Sequence, residues 1–231
     1  MAASTCRVFG YGPVLQNPAY RPPGTNFKFD RPRMTLLSGT SSIETERLRL
    51  RRITAGDLDF YTRIQADPDV ARYIATGKPR SAQESRDWLA AILDSYASSG
   101  LGQLAVERKS DGVLIGRCGL SDAVVEADPA PGTVRKGWFF RAQAPAGLEL
   151  EQVPELGYTF DKQYWGQGYA SEAAGCIFDY ARSTLKLGKV MSVIDADNHA
   201  SLGVARKFGV EFTEQVELSG HAFDRYDWPM I

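Results

Sequence analysis

The sequence predicts an α+β protein built around a mixed β-sheet, and three features of the chain indicate this class. The part of the chain with clear apolar periodicity begins and ends with strand-like segments of alternating apolar residues. Amphipathic helical segments lie between them without the strict alternation that a doubly wound parallel sheet requires. The chain has 231 residues, of which 43% are hydrophobic, so it is long enough to bury one good core.

Residues 1–40 differ in composition from the rest. They contain five prolines, and a single acidic residue stands against five Lys or Arg. We interpret this segment as a Pro-rich arm that is poorly ordered or lies over the surface. An organelle-targeting segment is the alternative, although the prolines oppose an amphipathic targeting helix. Residues 41–231 are then a single domain.

From Thr45 onward, apolar periodicity and turn residues predict an ordered series of elements. The Ser81-x-x-Glu84 sequence is a capping box that begins the second long helix. The elements are a strand at 45–53, a helix at 54–67, a short helical segment at 69–75, a helix at 81–99, strands at 102–108 and 113–121, an irregular insertion at 122–152 with a hairpin around 137–140, a strand at 155–160, a helix at 168–187, a strand at 189–196, a helix at 199–208, and an antiparallel pair at 211–218 and 221–230.

Composition argues against several functional classes. The net charge is -1 and the isoelectric point is about 6.2, so neither nucleic acid nor an anionic membrane surface is an expected partner. The sequence lacks the run of about 18 apolar residues that a membrane-spanning helix needs. The two histidines do not have zinc-ligand spacing, so we expect no metal site. Three widely spaced cysteines favour a reducing, cytoplasmic location, with organelle import by the arm not excluded.

The segment Trp165-Gly-Gln-Gly-Tyr-Ala170 joins a strand to an amphipathic helix. Gly166 and Gly168 permit backbone conformations closed to other residues, and the first turn of a helix offers unpaired N–H groups and partial positive charge. Together these features predict a phosphate cradle, while a simple tight turn is the structural alternative. A P-loop is excluded because Gly-Lys-Ser/Thr is absent. A dinucleotide-binding oxidoreductase fits poorly because Ser171 stands at the third glycine position and only one βαβ unit exists.

Five stretches occur in an order that resembles one family. They are TERLRLRRIT, DPDVARYI, LIGRCGL, ELGYTFDKQYWGQGYASEA and DADNHASLGVARKFGVEF. On these stretches the chain from about Thr45 to Trp228 resembles the GNAT acetyltransferase superfamily, in particular its ribosomal-protein alanine acetyltransferase branch. The resemblance implies a central mixed, mostly antiparallel sheet flanked by helices, and acetyl-CoA as cosubstrate.

The same resemblance assigns cofactor-binding residues. The pyrophosphate would lie on the backbone of Trp165, Gly166, Gln167, Gly168, Tyr169 and Ala170, and the pantetheine along Tyr158, Thr159 and Phe160. Trp165 stands where the superfamily motif has Arg or Gln, a substitution that this branch often shows. Asn198 would contact the pantetheine, although its position alone predicts a helix N-cap.

Acyl transfer to an amine needs a base, a donor for the oxyanion and a proton for the leaving thiolate. Glu155 is the candidate base, and an exposed strand-end carboxylate is the alternative interpretation. Ser201 is the candidate proton donor, and a helix-start residue is the alternative. Backbone N–H groups of 158–160 are the candidate oxyanion donors. Other groups at the same strand ends are Asp195, Asp197, His221 and Tyr226.

Since no residue is an evident covalent nucleophile, we expect direct transfer in a ternary complex. The acceptor is a small-molecule amine or a protein N-terminal amine, framed by the two early helices, the late hairpin and Trp138, Phe139 and Phe140, which either line a pocket or only cover the sheet. The protein is expected to be a monomer or homodimer. The alternative functions are a non-catalytic acyl-CoA-binding or interaction module and, less favoured, an oxidoreductase domain.

Overall fold

The computed structural model describes residues 7–9, for which only the backbone is considered, and residues 41–230. The strands are β1 Arg7–Phe9, β2 Ser42–Glu44, β3 Leu48–Arg52, β4 Gly102–Arg108, β5 Leu114–Ser121, β6 Ala123–Glu126, β7 Lys136–Phe140, β8 Leu150–Gln152, β9 Glu155–Phe160, β10 Met191–Ile194, β11 Glu211–Leu218 and β12 His221–Asp227. The helices are α1 Leu58–Gln65, α2 Pro68–Ala71, α3 Ala82–Ser98, α4 Tyr169–Ser183 and α5 His199–Lys207. The predicted arm otherwise falls outside the described residues.

The described strands form one sheet in the order β1-β2-β3-β4-β5-β9-β10-β12-β11-β7-β6-β8. Two neighbouring pairs, β9 with β10 and β11 with β7, are parallel, and the remaining pairs are antiparallel. The predicted α+β class with a mixed, mostly antiparallel sheet is therefore confirmed. The sheet does not have the parallel order that a dinucleotide-binding domain requires.

Local sequence signals account for the ends of the helices. Ser81 and Glu84 form the predicted capping box, in which the Glu84 N–H donates to Ser81 Oγ at 3.2 Å and the Ser81 N–H donates to Glu84 Oε2 at 2.7 Å. Helix α4 ends at Ser183, four residues before the predicted end, because Lys186 has a left-handed backbone with φ of 53°. Helix α2 is a single turn that begins with Pro68 at its first position.

Two apolar layers cover opposite faces of the sheet. One contains the buried face of α4 and residues such as Leu104, Leu120 and Leu156 from the central strands. The other lies under α1 and α3 and contains Tyr61 and Leu89. The central part of β9 is thus enclosed on both faces, with side chains that alternate between them.

The insertion at 122–152 differs from the expected single hairpin. It supplies three strands, with β6 between β7 and β8, and β7 continues the main sheet alongside β11. Trp138 is 5% exposed and packs with Phe140 and Phe223, at centroid distances of 5.2 and 6.5 Å. Trp138 and Phe140 therefore pack in an apolar cluster on the sheet, and Phe139 is half-buried.

Strands β9 and β10 separate soon after they meet. Their ladder contains a single pair, Met191 with Glu155, next to the 3.0 Å bond from the Met191 N–H to the Pro154 carbonyl. At the next residue of β10, a side-chain hydrogen bond takes the place of a backbone hydrogen bond between the strands. Ser192 Oγ donates to the Leu156 carbonyl at 2.6 Å. The same oxygen accepts from Trp228 Nε1 at 3.0 Å. A cleft consequently opens between the carboxyl-terminal halves of the two strands.

We expect Ser192→Ala to lower the free energy of unfolding by about 1–3 kcal/mol, because it leaves a buried carbonyl and a buried indole N–H unpaired. Urea denaturation measures the change. Ser98→Ala, which removes a hydroxyl from an exposed helical position, should change stability by no more than about 0.5 kcal/mol. Equal effects of the two substitutions would show that the Ser192 bridge does not stabilise the fold.

Candidate acetyl-CoA site and active site

The turn between β9 and α4 has the geometry of an anion cradle. Gly166 and Gly168 have φ of 73° and 81°, in the left-handed region that glycine adopts without strain. A Cβ at Gly166 would meet nothing within 4 Å, and one at Gly168 would meet only Arg47 Nη2, at 3.4 Å. Both glycines are therefore needed for backbone conformation more than for space. Gly168 is the N-cap of α4, so the N–H groups of the first helical turn face this turn.

Trp165 holds the turn in place through its indole. Its Nε1 donates to the Phe160 carbonyl at 2.9 Å, and half of the residue surface (50%) remains exposed. The bond ties the turn to the last residue of β9. Trp165 thus stabilises the turn through a hydrogen bond. An arginine at this position would instead bring a positive charge to it.

Three basic side chains gather around the cradle. Arg47 stacks over Tyr169 at 4.6 Å and donates to the Gln167 carbonyl at 3.0 Å. Lys207 Nζ donates to Ser171 Oγ at 3.0 Å. Hydrogen bonds to Asp111 and to Tyr169 raise the pKa of Arg108. Arg47 and Arg108 are also paired with the carboxylates of Glu172 and Asp111, so the three side chains provide hydrogen-bond donors beside the turn.

Glu172, in the first turn of α4, connects the cradle to the start of β3. Its carboxylate accepts from Thr45 Oγ1 at 2.5 Å, from the Arg47 N–H at 2.8 Å and from Arg47 Nε at 2.6 Å. Its side chain is 11% exposed. This bridge between residues far apart in sequence fixes Arg47 beside the glycine turn.

The cleft exposes peptide groups of β9. The Asp161 N–H donates to the Ile115 carbonyl of the neighbouring β5 edge at 3.0 Å. Because peptide groups alternate in direction along a strand, those of Tyr158 and Phe160 point away from β5 and toward the cleft. Those of Thr159 point toward β5. Of the three predicted pantetheine-contacting residues, two therefore present peptide groups to the cleft.

The side chain of Tyr158 crosses the cleft to α5. Burial raises the pKa of Tyr158 to about 12, and its hydrogen bond to the Ser201 hydroxyl opposes part of that rise. The Asn198 side chain caps α5, since its Oδ1 accepts from the Ser201 N–H at 3.1 Å. The structure thus brings together two hydroxyl groups and the predicted amide at one end of the cleft.

Glu155 lies on the opposite face of β9 from Tyr158. Its carboxylate packs against the Gly157 α-carbon, where an added Cβ would lie 2.7 Å from Oε1. Ser121 hydrogen-bonds to Glu155, and Gln103 Nε2 donates to Ser121 Oγ at 3.0 Å. Burial raises the pKa of Glu155, while the charge of Arg117 and the Ser121 hydrogen bond act in the opposite direction. The predicted base is therefore half-buried and held by a partner, unlike the exposed strand-end carboxylate that was the alternative.

The sequence of residues 47–211, well over half of the chain, matches the family model described as an acetyltransferase (GNAT) domain. The chain belongs to the GNAT acetyltransferase family. The cradle, the cleft, Glu155 and Ser201 all lie within the matched residues 47–211.

Relatives with known sequence or structure agree with the GNAT assignment. The uncharacterized protein YkkB of Bacillus subtilis strain 168 is 27% identical over 181 residues, covering 78% of this chain and 91% of YkkB. An acetyltransferase from Agrobacterium tumefaciens has a TM-score of 0.60 at 23% identity, covering 89% of this chain and 99% of that one. RimL, a ribosomal L7/L12 α-N-protein acetyltransferase solved with coenzyme A, has a TM-score of 0.56 at 14% identity. The match covers 79% of this chain and 93% of the RimL chain. At these identities the two structures establish the GNAT fold.

The remaining candidate residues of this GNAT domain have separate places. Asp195 and His221 line a cavity of about 160 Å³ together with Arg72 from the loop after α2. The Asp195 carboxylate also accepts from the Asp197 N–H at 2.8 Å, which makes it part of a turn. Tyr226 pairs with Ser192 across β10 and β12 and packs on Phe212 at 5.9 Å. None of these contacts joins them to Glu155 or Ser201.

Three further observations concern chemistry and location. In the described part of the chain, no group of three His, Cys, Asp or Glu residues could hold a metal ion. Among the same residues, no helix has the length and hydropathy to cross a membrane. Cys118 is a free, buried thiol, and Cys176 is buried in α4.

Glu172→Ala is expected to destabilise the protein by about 1.5–3 kcal/mol, because three hydrogen bonds to a charged group are lost. Glu46→Ala, a neighbouring exposed glutamate, is the matched control and should be nearly neutral. Chemical denaturation of both variants measures the difference. If Glu172→Ala matched the control, the bridge would contribute nothing to positioning Arg47.

Proposed function

We propose that the protein is an N-acetyltransferase that transfers the acetyl group of acetyl-CoA directly to a primary amine in a ternary complex. The observation that carries this proposal is the arrangement around β9. The cleft exposes its peptide groups, while Glu155 lies on one face and the Tyr158–Ser201 pair on the other. A base and a proton donor are thus available on opposite sides of one reaction path.

The residues around the cleft fit coenzyme A in charge and shape. The backbone of Trp165, Gly166, Gln167, Gly168, Tyr169 and Ala170, with Arg47 beside it, would bind the pyrophosphate. The Tyr158 peptide groups and the Phe160 N–H would bind the pantetheine, with Thr159 between them facing β5. Asn198, which already caps α5, would border the same cleft. The bound thioester supplies an activated acetyl group.

The chain's own groups supply the proton transfers. The Glu155 carboxylate accepts a proton from the acceptor ammonium, directly or through water, and its raised pKa makes it a better base than an exposed glutamate. A backbone N–H of the Tyr158–Phe160 segment donates to the developing oxyanion. The Ser201 hydroxyl, bonded to Tyr158, passes a proton to the departing thiolate. A serine hydroxyl has a high pKa, so it works by relay through its hydrogen bond.

Calorimetric titration with acetyl-CoA tests the cradle. We expect micromolar binding to the wild type and at least about tenfold weaker binding to Gly168→Val, because φ of 81° is strained for a branched residue. Gly132→Val is the matched control, since Gly132 has φ of 87° and an added Cβ there would meet nothing within 4 Å.

NADH and NADPH serve as ligand controls in the same titration. Preference for a dinucleotide, or absence of acetyl-CoA binding, would overturn the transferase proposal. Tight acetyl-CoA binding without transfer to any of a broad set of amines would favour a non-catalytic acyl-CoA-binding module.

The pH dependence of kcat/KM tests Glu155. Activity should fall as the pH drops through a pKa above the ordinary value of 4.5, since only the carboxylate can accept a proton. Glu155→Gln should remove this limb and lower the plateau by about 10²- to 10⁴-fold. Glu149→Gln, at an exposed position of the insertion, should leave the profile unchanged.

Stability measurements separate a catalytic loss from misfolding. A carboxyl group whose pKa is raised in the folded state contributes its full stabilisation when the pH is below the pKa that the group has in the unfolded chain. This stabilisation is lost as the pH rises through the folded-state pKa. The charged Glu155 therefore destabilises the protein at pH 7, and Glu155→Gln should be at least as stable as the wild type there. An active Glu155→Gln enzyme with an unchanged pH profile would assign the base elsewhere.

A further inference from the structure

Two arginines that have no carboxylate within 4.0 Å among the described residues lie over one tryptophan, on the face of the sheet that carries Glu155. The Cζ atoms of Arg80 and Arg117 are 5.9 and 5.5 Å from the centroid of the Trp88 ring. Trp88 is on α3, and its ring packs on Tyr61 of α1 at 5.0 Å. The two guanidinium groups are thus brought together from β5 and from the loop that precedes α3.

The register of the sheet places Arg117 beside the proposed reaction centre. Arg117 pairs with Thr159 of β9, and Ser121 pairs with Glu155. Paired residues of an antiparallel ladder project on the same face, and so do residues two or four apart on a strand. Arg117, Thr159, Ser121 and Glu155 therefore share the face that α1 and α3 cover.

Two other partly buried arginines, Arg51 and Arg225, have carboxylate partners, whereas Arg52 lies over the Tyr96 ring at 4.7 Å. Arg51 contacts Asp57 at 2.8 Å, and Arg225 contacts Glu214 at the same distance. Among the described residues, Arg80 and Arg117 form no ion pair within 4.0 Å. A partly buried guanidinium without an anion costs free energy, which an anionic ligand would recover.

The surroundings of the two arginines suit an anionic ligand. Burial lowers the pKa of Arg117, and Glu155 acts in the opposite direction. Burial and then the charge of Arg117 lower the pKa of Arg80 to about 10. One buried hydroxyl oxygen, Thr159 Oγ1, also lacks a hydrogen-bond partner among the described residues. Thr159 is 7% exposed and adjoins Arg117 in the ladder.

We propose that Arg80 and Arg117 bind an anionic group of the acceptor, so that the preferred acceptors are amines that also carry a carboxylate or a phosphate. A guanidinium presents a planar fork of donors that matches either anion in a bidentate manner. Trp88 holds both guanidinium groups by stacking. This proposal rests on the proposed acetyltransferase function, because Glu155 would receive the amine end of the same molecule.

The charge pattern suits such a bifunctional acceptor. The ammonium end is drawn to Glu155 and the anionic end to Arg117, which sits opposite Thr159 four positions further along β9. Four residues of a strand span roughly 13 Å between Cα atoms, and a long arginine side chain can cover part of that distance. Acceptors with a short or medium spacer between amine and anion are therefore expected to fit best.

Binding of paired probes to the protein saturated with coenzyme A tests the proposal without requiring turnover. The carboxylate arm compares β-alanine with propylamine and γ-aminobutyrate with butylamine. The phosphate arm compares O-phosphoethanolamine with ethanolamine. Calorimetry should show at least about tenfold tighter binding of the anionic member of one arm, and that arm identifies the anion.

Arginine variants assign the preference to this site. Arg117→Gln and Arg80→Gln should each reduce the difference between paired probes to about twofold or less, while Arg117→Lys should retain part of it. Arg86→Gln is the control, since Arg86 is an exposed arginine on α3 that bonds only to Gln83 among the described residues. Unchanged acetyl-CoA affinity in all variants reports that they are folded.

Equal binding of charged and uncharged probes by the wild type, or no binding of any anionic probe, would overturn the proposal whatever the variants do. A preference that survives both glutamine substitutions would overturn it as well. If anionic amines bind through the arginines but no acetyl transfer is detected, the anion site stands and the acetyltransferase function fails. The reverse result, transfer without anion preference, leaves the function and removes this inference.

Discussion

The cleft between β9 and β10 is the constraint on which the rest of the structure depends. A continuous parallel ladder would use every peptide group of β9 for the sheet. The ladder instead stops after one pair, and Ser192 closes the edge of the cleft with a side-chain hydrogen bond to Leu156. The Tyr158 peptide groups and the Phe160 N–H thereby face the cleft, at the point where the glycine turn and the positive end of α4 also begin, while the Phe160 carbonyl accepts from Trp165.

Strand β9 separates two kinds of chemistry because its side chains alternate. Tyr158 projects toward α5 and Ser201, whereas Glu155 projects under α1 and α3 toward Ser121 and Arg117. A group bound from one side meets hydroxyls, and a group bound from the other side meets a half-buried carboxylate and unpaired guanidinium groups. The two-residue period of a strand is enough to keep a leaving group and an attacking group in different environments.

Much of the fold could be predicted from the sequence because local signals determine it. The capping box of α3, the apolar face of α4, the glycine turn and the closing hairpin all rely on residues close in the chain, and each is present. The insertion was predicted less well, since β7 depends on pairing with the distant strand β11. The helix-cap role of Asn198 was also readable, because the cap bond spans three residues.

The residues of the site that were not predicted from the sequence escaped prediction for one common reason. Ser121 and Gln103 behind Glu155, and Glu172 behind Arg47, are brought together by strand register and helix docking over long sequence separations. Arg80 and Arg117 have no sequence pattern that indicates a ligand site, because the lack of a nearby carboxylate is visible only once the surroundings are known. Periodicity identifies which face a residue occupies, but it does not identify its neighbours on that face.

The insertion also determines how the sheet ends. It adds β7, β6 and β8 beyond β11, so that the long strand β11 lies inside the sheet and not at its edge. The edge on that side is then the three-residue strand Leu150–Gln152. In the described part of the chain, the opposite side ends in another three-residue strand, Arg7–Phe9. Short edges offer a second chain few free N–H and C=O groups, so this sheet is built against strand-to-strand growth into aggregates at high concentration.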